Sequence, residues 1–129
     1  MPTRSKSPTI TEPTGAIPVQ RRLPVDRPPT HPGEMLVEEF LKPLALTQSA
    51  FAQRIGVSFP RLNGVIRGRR AVTTDTALRL ARATGMGADF WLGLQQDWDL
   101  WHALRSEDAA QIAELEPLVD ERRAAGGSV

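Results

Sequence analysis

Cysteine and tyrosine are both absent from the 129 residues. Without thiols the chain has no disulfide scaffold, no thiolate zinc site and no cysteine nucleophile, a composition that fits a reducing cytoplasm. No apolar run approaches the roughly 20 residues a membrane helix requires, and the N-terminus lacks the apolar stretch of a secretory signal, so cytoplasmic residence is the expectation. His31 and His102 lie in separate segments with no partner at metal-binding spacing. No glycine loop with lysine cradles a phosphate, and Asp97 and Asp99, two positions apart, point to nearly opposite sides of a helix. A non-enzyme without metal or cofactor is therefore expected, of a length that suits one ordinary domain.

The net charge of +1 hides an uneven distribution. Residues 1–30 carry five basic and two acidic side chains (+3), residues 31–87 eight and four (+4), and residues 88–129 three and nine (−6). Between Arg54 and Arg82 seven arginines face the single Asp75. A polyanion can sit there, and the C-terminal third would repel it.

Three segments follow. Residues 1–30 hold seven of the eleven prolines, which forbids a continuous helix and predicts an extended or disordered arm. Within it Ile17, Val19, Leu23 and Val25 keep odd spacing, so one side of an extended strand becomes apolar against a partner. Residues 31–104 read as helices divided at Pro43, Gly56, Gly68, Gly85 and Gly87. Leu36, Val37, Phe40 and Leu41 form one face of the first helix, Thr47 caps a second through Ile55, and Ser58 caps a third. Thr73 or Thr74 caps a fourth, and Gly87 opens a fifth to about Leu104. Residues 105–129 read as an acidic helix, opened by Ser106 and closed by Pro117, with a frayed tail. The fold class is thus all-α, a bundle of five to six helices.

Gln48 to Arg67 meets the requirements of a helix-turn-helix: two short helices crossing over a tight turn, with small residues where the backbones touch. Phe51 and Ile55 are apolar, Ala52 is small at the approach, Gly56 supplies a left-handed turn position, and Val57, Leu62, Val65 and Ile66 complete a buried side. At about 100° per residue, Pro60, Asn63, Gly64 and Arg67 form the opposite stripe, flanked by Phe59 and Arg61. That stripe should face the major groove of DNA. Asn63 suits adenine, Arg67 or Arg61 guanine or phosphate, and Phe59 a thymine methyl. Gln48, Ser58 with the backbone end of its helix, and Arg69 and Arg70 are placed to hold phosphates. Pro60 and Gly64 donate nothing, so DNA shape carries part of the specificity.

On these residues the chain, from 31 to 104 and more loosely to Leu118, resembles the HigA-type antitoxins of the phage-repressor-like helix-turn-helix superfamily. The matching text is His31-Pro-Gly-Glu-Met-Leu-Val-Glu-Glu-Phe-Leu-Lys-Pro-Leu, Gly68-Arg-Arg-Ala-Val-Thr with Asp75-Thr-Ala-Leu-Arg-Leu-Ala, and Asp89-Phe-Trp-Leu-Gly-Leu-Gln-Gln-Asp-Trp-Asp-Leu-Trp. The resemblance implies a dimer that represses its own operon and binds a small, basic, messenger-cleaving toxin of RelE-like fold. The 30-residue arm and the Met86-Gly-Ala-Asp cap depart from the family's usual pattern.

Phe90, Trp91, Leu94, Trp98 and Trp101 lie within about 100° on the fifth helix. Its first residues suit a small core, whereas Leu94, Trp98 and Trp101 are expected at an interface with a second copy. Two recognition helices would then stand roughly 34 Å apart, over a pseudo-palindrome. Glu107, Asp108, Glu114, Glu116, Asp120 and Glu121 would complement a basic toxin. Two other readings stay open at this point: a stand-alone repressor of phage or restriction-controller type, and an adaptor whose helix-turn-helix has lost DNA binding.

Overall fold

The computed structural model describes residues 17–119, and the described residues hold six α-helices and no strand. Helix α1 (Pro32–Leu36) continues into a π-helical turn (Val37–Leu41) that ends before Pro43. Helices α2 (Gln48–Ile55), α3 (Phe59–Ile66), α4 (Thr74–Thr84), α5 (Ala88–Leu104) and α6 (Glu107–Ala113) follow. None is long and apolar enough to cross a membrane.

The boundaries arise from local chemistry. Thr47 accepts from the Ala50 N–H at 3.0 Å, Ser58 from that of Arg61 at 3.2 Å and Thr73 from that of Thr76 at 3.3 Å, each satisfying an orphan donor of a first turn. Gly56 (φ 76°) and Gly85 (φ 84°) end α2 and α4 in the left-handed conformation that other residues avoid. Ser106 does not cap α6; its hydroxyl donates back to Ala103 O at 2.6 Å. That helix is shorter than expected, stopping at Ala113 rather than near Pro117.

One core gathers α1 to α5. Leu36, Leu41, Phe51, Ala52, Ile55, Leu62, Val65, Val72, Ala77, Leu80 and Trp91 are buried together. Trp91 is fully buried, and its indole N–H is satisfied by Thr84 Oγ1 at 3.3 Å, so the largest side chain leaves no polar atom stranded. Removing a side chain of this size from such a core costs about 3–5 kcal/mol.

The arm behaves differently from expectation over its described half. Residues 17–30 form a segment without helix or strand, bent at Ile17, Arg21 and residues 25–27, and Val19 and Leu23 are buried with Leu104 against Ile17, Leu100 and Trp101. Arg21 crosses α5 at Gly93, where no side chain blocks it, and pairs with Asp97. The odd-numbered apolar residues therefore do find a partner, and it is the chain's own α5. Val25 is left exposed. The disorder expected of residues 1–16 falls outside the described residues.

Candidate nucleic-acid interface

The α2–α3 pair is held as the turn requires. After Gly56 the Val57 N–H returns to Ala52 O at 3.0 Å, and α3 then buries Leu62 and Val65. From the other side, Gly33 of α1 presses on the last residue of α3. A Cβ built on Gly33 would lie 2.5 Å from the Ile66 carbonyl oxygen and 2.7 Å from its Cα, so only glycine permits the two helix ends to meet. Beside it His31 caps α1 with its ring: Nδ1 accepts from the Gly33 N–H at 2.9 Å. Burial lowers the His31 pKa from its ordinary value, outweighing the opposing pull of Asp99 and Glu34. The His-Pro-Gly triplet thus aims the end of α3, a role its sequence signals only through the small residue after proline.

On the outer side of α3, Asn63 Nδ2 donates to Gln48 Oε1 at 2.9 Å. The bond joins the N-terminus of α2 to the middle of α3 and leaves the Gln48 amide protons and the Asn63 carbonyl for other partners. Ser58, Phe59 and Pro60 are exposed at the N-terminal end of α3, and the Ser58 Oγ is engaged as cap.

Beyond α3 the chain folds back. The Arg69 and Arg70 N–H groups both donate to Gly64 O, at 2.8 and 3.0 Å. The stem of Arg70 covers Gly64, whose added Cβ would lie 2.9 Å from Arg70 Cγ. Gly64, expected on the open stripe, is instead buried, because its missing side chain makes room for the returning loop. The loop is anchored from behind by buried Val72, whose N–H donates to Gln95 of α5 at 2.9 Å. Arg67, Arg69 and Arg70 are exposed, and among the described residues none of the three is in an ion pair.

Arg61, expected to reach guanine or phosphate, has partners within the chain. Its Nη2 donates to Asp75 Oδ2 and Thr76 Oγ1, both at 2.9 Å, so the guanidinium clamps α3 onto the start of α4. Asp75 also receives Arg79 at 2.9 Å; the hydrogen bonds from Arg79 and Arg61 hold its carboxyl below the ordinary value. The one acid in the arginine-rich stretch is consumed by this clamp. The remaining arginines on the α3 side stay uncompensated.

The three side chains expected at an interface all have partners within the chain. Leu94 packs against the main core. Trp98 meets His31 edge-on at 4.8 Å and lies 4.3 Å from the His102 ring. Trp101 lies under the arm: its indole N–H donates to Pro24 O at 2.8 Å, and Arg105 stacks 3.7 Å from its ring centroid. The ridge on α5 extends as far as the sequence indicated, and the described arm covers the end assigned to a second copy. Among the described residues, no three histidine, cysteine or acidic side chains gather as a metal site.

A family model described as helix-turn-helix matches residues 37–91. Virulence-associated protein I of Dichelobacter nodosus is 41% identical over 98 residues, covering 76% of this chain and 89% of that protein. Antitoxin HigA-1 of Vibrio cholerae is 40% identical over 75 residues, 58% of this chain and 70% of the relative. The solved structure of Pseudomonas aeruginosa antitoxin HigA with the higBA promoter superposes with a TM-score of 0.64 at 36% identity, over 70% of this chain and 99% of that one. With its capped α2–α3 pair, its arginine loop and these relatives, the chain belongs to the HigA family of helix-turn-helix antitoxins.

Proposed function

We propose that this protein is a DNA-binding antitoxin that represses the operon encoding it, binding as a dimer and neutralising a small basic, messenger-cleaving toxin. The observation that carries the DNA-binding part is the loop folded back on α3. It projects Arg67, Arg69 and Arg70 from the C-terminal end of the helix whose middle displays the Gln48–Asn63 pair. Positioning cations beside a polar pair that can meet a base edge is what duplex recognition demands. The relative solved with its promoter supports DNA binding as such. Arg67, Arg69, Arg70 and Gln48 hold phosphates in this reading, Ser58 presents the N-terminal backbone of α3 to another, and Asn63 and Phe59 read bases.

For the toxin, the exposed acids Glu107, Asp108, Glu114 and Glu116 at the C-terminal end supply charge of the complementary sign. Asp120 and Glu121, assigned the same role, lie outside the described residues. A second copy would bring another recognition helix to the adjacent half-site, roughly 34 Å away.

The test is a titration of the duplex upstream of the coding region as salt is raised. Each phosphate contact contributes about −0.9 to the log–log slope. Replacing Arg67 and Arg69 together by alanine should therefore flatten the slope by about two contacts' worth. Arg61→Ala serves as the contrasting variant. It removes the hydrogen bond to buried Thr76 and lowers stability by about 1 kcal/mol, with the slope unchanged. A wild-type slope in the Arg67/Arg69 variant, or a flattened one in Arg61→Ala, would overturn this assignment of the face.

A further inference from the structure

We infer that the arm is a positioning strap for the DNA face: clasped on α5, residues 17–24 hold the entry to α1, and through it the end of α3 that carries Arg67, Arg69 and Arg70. The inference rests on the DNA-binding reading above and adds to it a control of operator affinity by side chains that act at a distance from the duplex.

The clasp is built on one stripe of α5. Gly93, Asp97, Trp101 and Leu104 follow one another at spacings of four, four and three, so they share a side of the helix. The arm meets all four. Arg21 Nη2 reaches Gly93 O at 3.5 Å, and Arg21 Nε pairs with Asp97. The Trp101 indole donates to Pro24 O at 2.8 Å, and Val19 and Leu23 close over Leu104. The neighbouring stripe of Trp91, Gln95 and Trp98 serves the DNA-reading half of the domain. Gln95 accepts from the Val72 N–H behind the arginine loop at 2.9 Å and donates to Asp99 at 3.0 Å, and Trp98 meets His31 edge-on at 4.8 Å.

His31 is where arm and DNA face join. Its buried ring accepts from the Gly33 N–H, rests on Trp98 and faces the loop: a Cβ built on Gly68 would lie 3.5 Å from its Nε2. Gly33 in turn bears on the Ile66 backbone. Residues 25–30 link Pro24 on α5 to this joint, and they have little slack. Pro28, Pro29 and Pro32 have φ fixed by their rings, and Arg27, Pro28 and His31, each preceding a proline, are kept from helical conformations. With one end pinned to α5 and the other forming the cap of α1, such a linker passes a displacement on instead of absorbing it. A shift of a few tenths of an ångström at the end of α3 is enough to spoil charge-assisted hydrogen bonds to phosphate.

The experiment releases the arm of the full chain without changing any charge. Val19→Ala with Leu23→Ala empties the apolar clasp and leaves α1 to α5 and every arginine in place. Val25→Ala, at an exposed site of the same segment, is the control, and Val19→Ile with Leu23→Met refills the clasp. Operator affinity is read by fluorescence anisotropy at fixed salt, arm release by tryptophan emission and limited proteolysis, and integrity by Tm. Release should weaken operator binding about tenfold with the main transition held, while the control and refilled variants bind like the parent. Replacing Pro28 and Pro29 by glycine should weaken binding about threefold with the arm still seated on Trp101, an effect that a merely structural clasp would not produce. Parental affinity in a protein whose arm is released, or in the glycine variant, overturns the proposal. So does a flattened salt slope on replacing exposed Arg22 and Arg27 by alanine, which would make the arm a direct phosphate contact. A parent chain that ignores operator DNA altogether refutes the DNA-binding reading itself, so the two failures are told apart.

Discussion

Replacing Gly33 by alanine isolates the contact that aims α3. The added methyl would meet the Ile66 carbonyl oxygen at 2.5 Å, its Cα at 2.7 Å and its carbonyl carbon at 2.9 Å, where 3.4 Å is ordinary contact. All three atoms are backbone, so no side chain can rotate away. The ends of α1 and α3 must separate by roughly 1 Å, a typical overpacking insult of about 1–3 kcal/mol. Alanine's better helix propensity returns about 0.5–1 kcal/mol. The net loss, centred near about 1 kcal/mol, should lower Tm by about 4–8 °C per kcal/mol in a domain of this size. The end of α3 carries the Arg67–Arg70 loop with it, and hydrogen bonds to phosphate tolerate only a few tenths of an ångström. Operator affinity should fall about tenfold, the equivalent of one hydrogen bond to a charged group. Gly85→Ala provides the contrast. Gly85 has φ 84° with nothing within 4 Å of its added Cβ, so the left-handed backbone costs about 1–2 kcal/mol, far from the α3 end. Thermal unfolding and fluorescence anisotropy on operator DNA check both variants. The two should lose comparable stability, and only Gly33→Ala should lose affinity beyond what unfolding explains. A Gly33→Ala protein with parental Tm and affinity would refute the reasoning.

Two further perturbations test the surroundings of that contact. His31 must be neutral at Nδ1 to accept the Gly33 N–H, and its folded-state pKa is lowered, by burial first. A lowered folded-state value means that the unfolded chain binds the proton more readily. Its contribution to stability is therefore complete above the unfolded value of about 6.5 and is lost as pH falls from there through the folded-state value. Glu34, Asp99 and His102 face the same ring and modulate the shift. Denaturant midpoints between about pH 5 and 7 should fall with acid in the parent, while His31→Asn, which keeps a capping oxygen, should flatten that dependence. An equally steep profile in His31→Asn would remove His31 from the account. Leu23→Asp addresses the arm. Leu23 is 2% exposed in a cluster separate from the main core, so a charge there should release the arm from α5 without unfolding α1 to α5. Trp101, freed from Pro24, should show red-shifted emission, and the segment 17–25 should become open to limited proteolysis while the Tm of the main transition holds. Loss of the whole fold would show instead that arm and bundle are one cooperative unit.

The residues whose role depends on local spacing were legible, and those whose role depends on reach were not. Thr47, Ser58, Thr73, Gly56 and Gly85 mark helix ends by chemistry confined to three or four residues, so the α2–α3 pair could be read directly. Arg61 lies on the flank that the helical wheel assigned to it, but a wheel gives direction and not destination. Its long side chain turns back to Asp75 and Thr76 rather than outward. Gly64 fails for the opposite reason: a position without a side chain invites neighbours in, and Arg70 lies across it. The arm is the larger lesson. Proline density correctly argued against a helix for residues 17–30, yet a segment without regular structure docks through its side chains and the Pro24 carbonyl and asks no regular hydrogen bonding of its backbone. Val19 and Leu23, four residues apart, reach the same side of such a segment and close over Leu104, with Arg21 between them on Asp97. The apolar end of α5 that looked too large for so small a bundle was expected to meet a second copy, and the described arm covers it instead. What pattern could not say is that the partner lies upstream in the same chain, because that pairing spans more than seventy residues and leaves no periodic trace.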